Sequence, residues 1–382
     1  MVLLKESLVV IVECCRAVLF FSCLLVCSQG ALGNGAGGKE GAYAEVSQNL
    51  DSATEATGRA LYESRCAQCH DANVVRAPPR YILQLSTPEA ILGALNDGLM
   101  QEVASDLSLP KKTAIAEFLT KRKMSGDDAR SAGVACSRSA AEFNRAATPA
   151  FSHWGFDQEG THYIGPSIAS VTKTALPTME VEWAFAFPSA VRARSQPALA
   201  GGAIFVGSQS GLVYAFDLET GCTRWQFMAS AEVRNAMIIA PWDPVDEEAD
   251  PLLYFGDVSG NQYAISAITG ELTWRKRMDD HGVATLTAAS TLVDDVLYVP
   301  ISSLEEGAAI SADYPCCTFR GAVAALDAGT GEERWRRYFI PPAKEQATND
   351  AGNTLYGPSG VPVWAGMSVW RVRMRLPARC SS

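Results

Sequence analysis

From about residue 195 onward, short runs of apolar residues alternate with polar ones at the two-residue period of half-buried strands. The clearest runs are 203–207, 252–256 and 296–301. Each is followed by a copy of one pattern, A-x(4)-T-G-x(3)-W, at Ala215 to Trp225, Ala264 to Trp274 and Ala325 to Trp335. The order strand, turn, strand, Thr-Gly turn, strand ending in Trp predicts one four-stranded antiparallel sheet per copy. The tryptophans recur after 49 and then 61 residues, and the longer gap holds an insertion at 303–320. Repeats of this length with a tryptophan in register predict propeller blades. One such tryptophan would be ordinary core; three in register predict that each docks its blade on the next. Trp183, in Val181-Glu182-Trp183-Ala184-Phe185, reads as the end of a further blade closed from elsewhere.

Nearer the N-terminus the period changes. Leu61 and the Gly58/Tyr62 pair, one turn apart, predict an amphipathic helix over 56–65. A small residue one turn before an aromatic lets another helix cross closely. A second helix is expected over 111–120, with Ile115, Phe118 and Leu119 as its apolar face and Pro110 near its start. The first helix runs into Cys66-Ala67-Gln68-Cys69-His70. C-x-x-C-H is the attachment signature of a c-type haem: each thiol forms a thioether to a vinyl group, and the histidine becomes an iron ligand. Half of a zinc site is the alternative, but no second C-x-x-C or H-x-x-x-H follows. The helix pair resembles class I cytochromes c. That resemblance implies a methionine as sixth ligand on the loop between the helices. Met100 lies there after the turn-like Asn96-Asp97-Gly98, while Met124 lies beyond the last helix and fits less well. A thioether ligand raises the iron's potential. Pro78-Pro79 fits the loop on the proximal side.

The chain has 382 residues, enough for two or three domains. Charged residues make up 19% and the formal net charge is −10, which argues against a nucleic-acid partner. Residues 1–30 read as a secretory leader: Lys5 and Arg16 precede the apolar run 17–26, and the small residues Ser28, Gly30 and Ala31 follow. That run is too short for a stable membrane span, which needs about 20 residues. Cys27 as a lipidation site is the alternative, poorly supported by Val26 before it. The expected location is periplasmic or secreted. Of eleven cysteines, four lie in the leader and two in the haem motif; Cys136, Cys222, Cys316, Cys317 and Cys380 remain, and export permits disulfides among them. The expected organisation is leader 1–30, flexible linker 31–48, cytochrome c domain 49–124, linker 125–150, partial propeller 151–365 and atypical tail 366–382.

The tryptophan-bearing repeat resembles the propeller of alcohol dehydrogenases that use pyrroloquinoline quinone (PQQ). A haem c domain joined to it resembles a quinohaemoprotein. Four further stretches resemble the cytochrome-type polyvinyl alcohol dehydrogenases: His153-Trp154-Gly155-Phe156-Asp157, Val299 to Glu306, Cys316-Cys317-Thr318-Phe319-Arg320-Gly321 and Gly357-Pro358-Ser359-Gly360. The resemblance covers about residues 50–365. It implies a multidomain fold, an all-α class I cytochrome c domain followed by an incomplete all-β propeller of the eight-bladed quinoprotein type. It implies oxidation of an alcohol, polymeric or secondary, with PQQ and Ca²⁺. Electrons would pass through haem c to an external acceptor such as a soluble cytochrome c. The alternative is a haem c electron carrier fused to a non-catalytic scaffold or binding propeller, because scaffold propellers share the blade motif.

The resemblance also assigns residues. Arg234 would pair with the quinone, against the alternative of a solvated surface arginine. Thr287 and Ser302 would hydrogen-bond it, and Trp364 would stack under its ring unless it is a blade-core tryptophan. Glu305 would ligate Ca²⁺, with Glu306 as the alternative register. Methanol-type relatives place a disulfide of adjacent cysteines against the quinone, so Cys316 and Cys317 are candidates, although the pair lies one blade later than in those relatives. Cys136 with Cys222 is a candidate structural bridge. The resemblance implies eight blades, of which three and the beginning of another are read here, and it places the second calcium ligand and the catalytic base beyond residue 365. The stretch 366–380 carries four arginines and no acid, which suggests a frameshift or a misplaced gene end. The expectation is haem binding with little dehydrogenase activity.

Overall fold

A computed structural model describes residues 50–369 except 73, 75, 125–132, 148, 150, 158, 159 and 170. The expected leader, the linker at 31–48 and Cys380 lie outside the described residues, as do the last thirteen residues of the expected tail.

The N-terminal part is helical: α1 (Ser52–Arg65), α2 (Ala67–His70), α3 (Arg80–Leu83), α4 (Pro88–Asn96) and α5 (Leu109–Thr120). Asp51 caps α1 by accepting the amide of Thr54 at 2.8 Å, which satisfies one of the orphan donors of the first turn. Helices α1 and α5 cross at Gly58. A Cβ there would lie 2.2 Å from the carbonyl oxygen of Ala114 and 2.5 Å from Cβ of Phe118, so only glycine permits the approach. Tyr62, fully buried one turn on, packs against Phe118 with ring centroids 6.0 Å apart. Helix α5 begins two residues before the expected Lys111, because Pro110 fits the first turn, where no N–H is needed.

The rest is β-structure, after short helical turns at α6 (Pro166–Ala169) and at Leu176–Thr178. The first antiparallel blade is β1 (Ala198–Ala200), β2 (Ala203–Gly207), β3 (Leu212–Asp217) and β4 (Thr223–Met228). The second is β5 (Ile238–Ile239), β6 (Leu252–Gly256), β7 (Asn261–Ser266) and β8 (Leu272–Arg277). The third is β9 (Ala284–Thr285), β10 (Thr291–Val293), β11 (Val296–Ser303), β12 (Ala322–Asp327) and β13 (Glu333–Tyr338), in which β9 pairs only with the end of β11. The turn α7 (Glu305–Ala308) follows β11, and the hairpin β14 (Lys344–Thr348) with β15 (Thr354–Gly357) follows the third blade.

The repeat is physical. The pairing register slips just after the repeat alanine in all three blades, at Ala215, Ala264 and Ala325. The Thr-Gly turns hold Gly221, Gly270 and Gly331 at φ of 68°, 75° and 74°, a region costly for residues with a Cβ. The indole of Trp225 donates to the carbonyl of Ala267 and that of Trp274 to Ala328, each at 3.0 Å. The ring of Trp225 covers Gly270 and that of Trp274 covers Gly331. Trp183 takes the same place on the first blade: it donates to Leu218 O at 3.1 Å and covers Gly221. Each blade thus shields the turn of the next, and the apolar cores run continuously across blade boundaries, as where Phe205 and Val213 meet Leu253 and Phe255.

Helices and blades meet at a buried apolar seam of Ile82 and Leu85 with Ala231, Val258, Val283 and Leu304. The amide of Thr87 donates to Ser230 O at 2.8 Å, and the hydroxyl of Tyr81 donates to Leu304 O at 3.3 Å.

Candidate functional site

Three residues occupy one register in three blades. Arg194, Arg234 and Thr287 each stand four positions before a strand, β1, β5 and β10. The next residue in each case ties the blades together. Ser195 Oγ donates to Asn235 O at 2.9 Å and accepts Gly207 N at 3.1 Å. The side chain of Asn235 donates to Ala288 O at 3.4 Å and accepts Gly256 N at 3.2 Å. This ladder brings the three preceding side chains to one place, a cavity of about 360 Å³ lined by Arg194, Arg234, Thr287, Ser302, Ser303, Leu304, Glu306 and Trp364.

Ser302 and Ser303 reach the cavity because β11 runs two residues past the expected Ile301, pairing with Thr285 and Ala284. The hydroxyl of Ser302 is buried with no hydrogen-bond partner among the described residues, and so is that of Thr285. A buried hydroxyl left unpaired costs about 1–3 kcal/mol, so a ligand that satisfied one would gain affinity. Trp364 is 58% exposed and lines the cavity instead of filling a blade core. Two guanidinium groups, hydroxyls, one aromatic plane and one carboxylate suit a flat polyanionic ligand with a cation beside it.

Glu305 does not line this cavity. Its carboxylate accepts Thr318 N at 2.7 Å, Phe319 N at 3.1 Å and Tyr314 Oη–H at 3.1 Å, and lies 3.5 Å from His281 Nε2. Burial pushes its pKa up, but the hydrogen bonds from His281, Thr318 and Phe319 outweigh that and hold it below the ordinary value. Its neighbour Glu306 is the acid at the cavity. Consecutive residues of a helical turn point about 100° apart, and here Glu306 faces the cavity while Glu305 turns to Thr318 and Phe319.

Cys316 and Cys317 form a disulfide, as do Cys136 and Cys222, whose Cα atoms lie 5.0 Å apart. The adjacent pair is not among the residues lining the cavity. Its backbone instead exchanges hydrogen bonds with Tyr356 of β15. Sequence reasoning also missed Arg194, Ser303 and Leu304. Arg194 was findable from its register with Arg234; the other two depend on how far β11 extends.

At the helical end, Cys66 is half-buried, Cys69 is exposed, and neither forms a disulfide among the described residues. Burial raises the pKa of the Cys66 thiol. His70 Nδ1 lies 2.7 Å from Pro78 O. A carbonyl only accepts, so Nδ1 carries the proton and Nε2 keeps its lone pair for a metal. Cys66 and Met100 border the same apolar cluster, centred on Tyr62, Ile115 and Phe118.

Four-stranded blades docked through tryptophans around a polar cavity define a propeller-like quinoprotein fold. The chain belongs to the PQQ_2 family, whose sequence model, described as outer membrane protein assembly factor BamB, matches residues 169–372. It is 31% identical over 336 residues to a polyvinylalcohol dehydrogenase of Sphingopyxis sp. (strain 113P3), covering 84% of this chain and 51% of that one. It is 30% identical over 329 residues to a polyvinylalcohol dehydrogenase of Pseudomonas sp, covering 82% and 50%. The chain therefore spans about half the length of these curated relatives. Among solved structures, the quinohemoprotein alcohol dehydrogenase of Comamonas testosteroni aligns with a TM-score of 0.40 and 18% identity, covering 61% of this chain and 31% of that one.

Proposed function

We propose that this protein oxidises an alcohol with PQQ and passes the electrons through haem c to an external acceptor, such as a soluble cytochrome c. The observation that carries the reading is the convergence of Arg234, Thr287, Ser302 and Trp364 on one cavity. PQQ is a flat tricarboxylate bearing an ortho-quinone, and the donor set fits it. Arg194 and Arg234 would pair with carboxylates, Trp364 would offer its face, and the unpartnered Ser302 hydroxyl would donate a hydrogen bond. Glu306 would supply oxygen to a Ca²⁺ ion, and Glu305 would hold the turn that presents it. Bound there, PQQ supplies a hydride acceptor for the carbon of the alcohol. The protein's own contribution is to fix the quinone's orientation and to wall one side of it with Leu304.

The reading takes residues 49–124 as a cytochrome c domain and 151–365 as a partial propeller. Cys66 and Cys69 would bind haem covalently, and His70 Nε2 and Met100 would hold its iron. Covalent haem attachment places the protein in the periplasm or outside the cell. Among the described residues no helix is long and apolar enough to cross a membrane. The alcohol is taken as polymeric or secondary, by the names of the relatives at about 30% identity.

The test is a titration of the haem-loaded chain with PQQ and CaCl₂, then addition of a secondary alcohol or polyvinyl alcohol. PQQ is expected to bind with Ca²⁺, and the ferrous α-band to rise slightly, and only with PQQ, Ca²⁺ and alcohol together, since the catalytic base is not among the residues assigned to the site. Absence of both PQQ binding, read as quenching of tryptophan fluorescence, and haem reduction would sink the proposal. The description of the matching family favours a second reading, a haem c carrier on a binding propeller. It would show a normal haem spectrum and no affinity for PQQ.

A further inference from the structure

We infer that Tyr81 is the link through which electrons leave the quinone cavity for the haem motif. The inference rests on the cofactor assignments above. Its starting point is the contact between the helical part and the blades. His70, the candidate iron ligand, donates through Nδ1 to Pro78 O at 2.7 Å. Pro79 is the cap of α3, and Tyr81 is the second residue of that helix. The Tyr81 hydroxyl donates to Leu304 O at 3.3 Å. Leu304 lines the cavity and immediately precedes the turn α7, which carries Glu306. A Cβ added at Gly307 of that turn would sit 3.7 Å from the Tyr81 ring.

The candidate iron ligand and the cavity wall are thus joined by two hydrogen bonds and a covalent stretch of four residues. Beside this link lies a buried apolar seam: Ile82, Leu85, Val258, Val283 and Leu304 are each no more than 8% exposed. Electron tunnelling decays less steeply along bonds and hydrogen bonds than across gaps, and buried apolar surroundings lower the reorganisation that accompanies each transfer. Among the described residues the haem-motif loop also meets the blades through Arg76 and Asp280, 2.7 Å apart, an exposed ion pair that does not line the cavity. The step balances as two one-electron transfers: the reduced quinone loses two electrons and releases two protons to solvent, and one ferric haem becomes ferrous on each transfer, reoxidised between them by the external acceptor.

The test bypasses the alcohol. The full chain with ferric haem and Ca²⁺ is mixed anaerobically with pre-reduced PQQ, and the ferrous α-band is followed by stopped flow. Transfer from bound quinone gives a rate that saturates with PQQ concentration. Tyr81→Phe is expected to lower the saturating rate several-fold, and Tyr81→Ala by an order of magnitude. The half-saturating PQQ concentration and the haem midpoint potential should stay at their original values. Saturating rates unchanged in both variants would overturn the inference. So would a loss explained by an altered potential or altered quinone affinity, which would mean Tyr81 only holds the two parts together. A rate that never saturates in the unmodified chain would instead overturn the quinone reading of the cavity, and this inference with it.

Discussion

Glu305 Oε1 accepts the backbone N–H of Thr318 at 2.7 Å, which joins the turn presenting Glu306 to the segment that follows Cys316 and Cys317. The carboxylate also accepts Phe319 N, Tyr314 Oη–H and His281, so its removal strands several buried donors. Glu305→Ala is expected to cost about 3–5 kcal/mol of stability. Glu305→Gln should cost about 2 kcal/mol, because its amide NH₂ must face a backbone donor. Urea denaturation of both variants checks this.

The same group sets a pH dependence. The folded-state pKa of Glu305 lies below its ordinary value of 4.5, so the folded protein favours the ionised form. Its contribution is therefore full above the ordinary carboxylate range and is lost as pH falls through the lowered value. The urea midpoint should decline as pH drops below about 4.5, and decline less steeply in Glu305→Gln. Equal slopes in the two proteins would contradict this.

Gly270→Ala and Gly331→Ala test the docking of blades. Each added methyl would meet the tryptophan of the preceding blade at 2.8 Å, on backbone at positive φ. Each should lose roughly 2 kcal/mol or more, part from the left-handed conformation and part from displaced indole. Near-UV circular dichroism should register the tryptophan's movement.

Ser302→Ala separates binding from folding. Its hydroxyl is buried without a partner among the described residues, so the alanine variant should be as stable as the parent or slightly more so. PQQ affinity should nevertheless fall by about 1–2 kcal/mol, roughly fivefold to thirtyfold. Arg234→Ala should lower it further. Calorimetric titration with PQQ and Ca²⁺ gives both numbers.

Tyr214→Phe is expected to stabilise the protein by about 1 kcal/mol. Tyr214 is fully buried between Phe185, Phe187 and Phe216, its hydroxyl has no partner among the described residues, and burial pushes its pKa up to about 12. Thermal denaturation checks it; a lower melting temperature would mean that the hydroxyl is satisfied in solution.

For the haem motif, Cys66→Ser with Cys69→Ser should abolish haem staining on a denaturing gel. Met100→Ala should keep the covalent haem and lower its midpoint potential, because a thioether ligand favours the reduced iron.

The sequence by itself determined what spacing and period encode. The A-x(4)-T-G-x(3)-W repeat specified the blades, since the Thr-Gly turn and the tryptophan that covers the next blade's glycine are both local requirements. Gly58 with Tyr62 specified the helix crossing, because no larger residue fits under Ala114. C-x-x-C-H gave the expectation of covalent haem from its spacing alone, and that assignment stands as part of the proposed function. Tertiary structure alone decided which neighbour faces a site. Glu305 and Glu306 are indistinguishable until Thr318, Phe319 and Tyr314 claim the first and leave the second at the cavity. Arg194 entered through blade register, Cys316 and Cys317 were drawn to Tyr356, and Tyr81 met Leu304 across 223 residues of sequence. Side-chain direction at a strand end or a single helical turn depends on partners distant in the chain, and no local pattern records them.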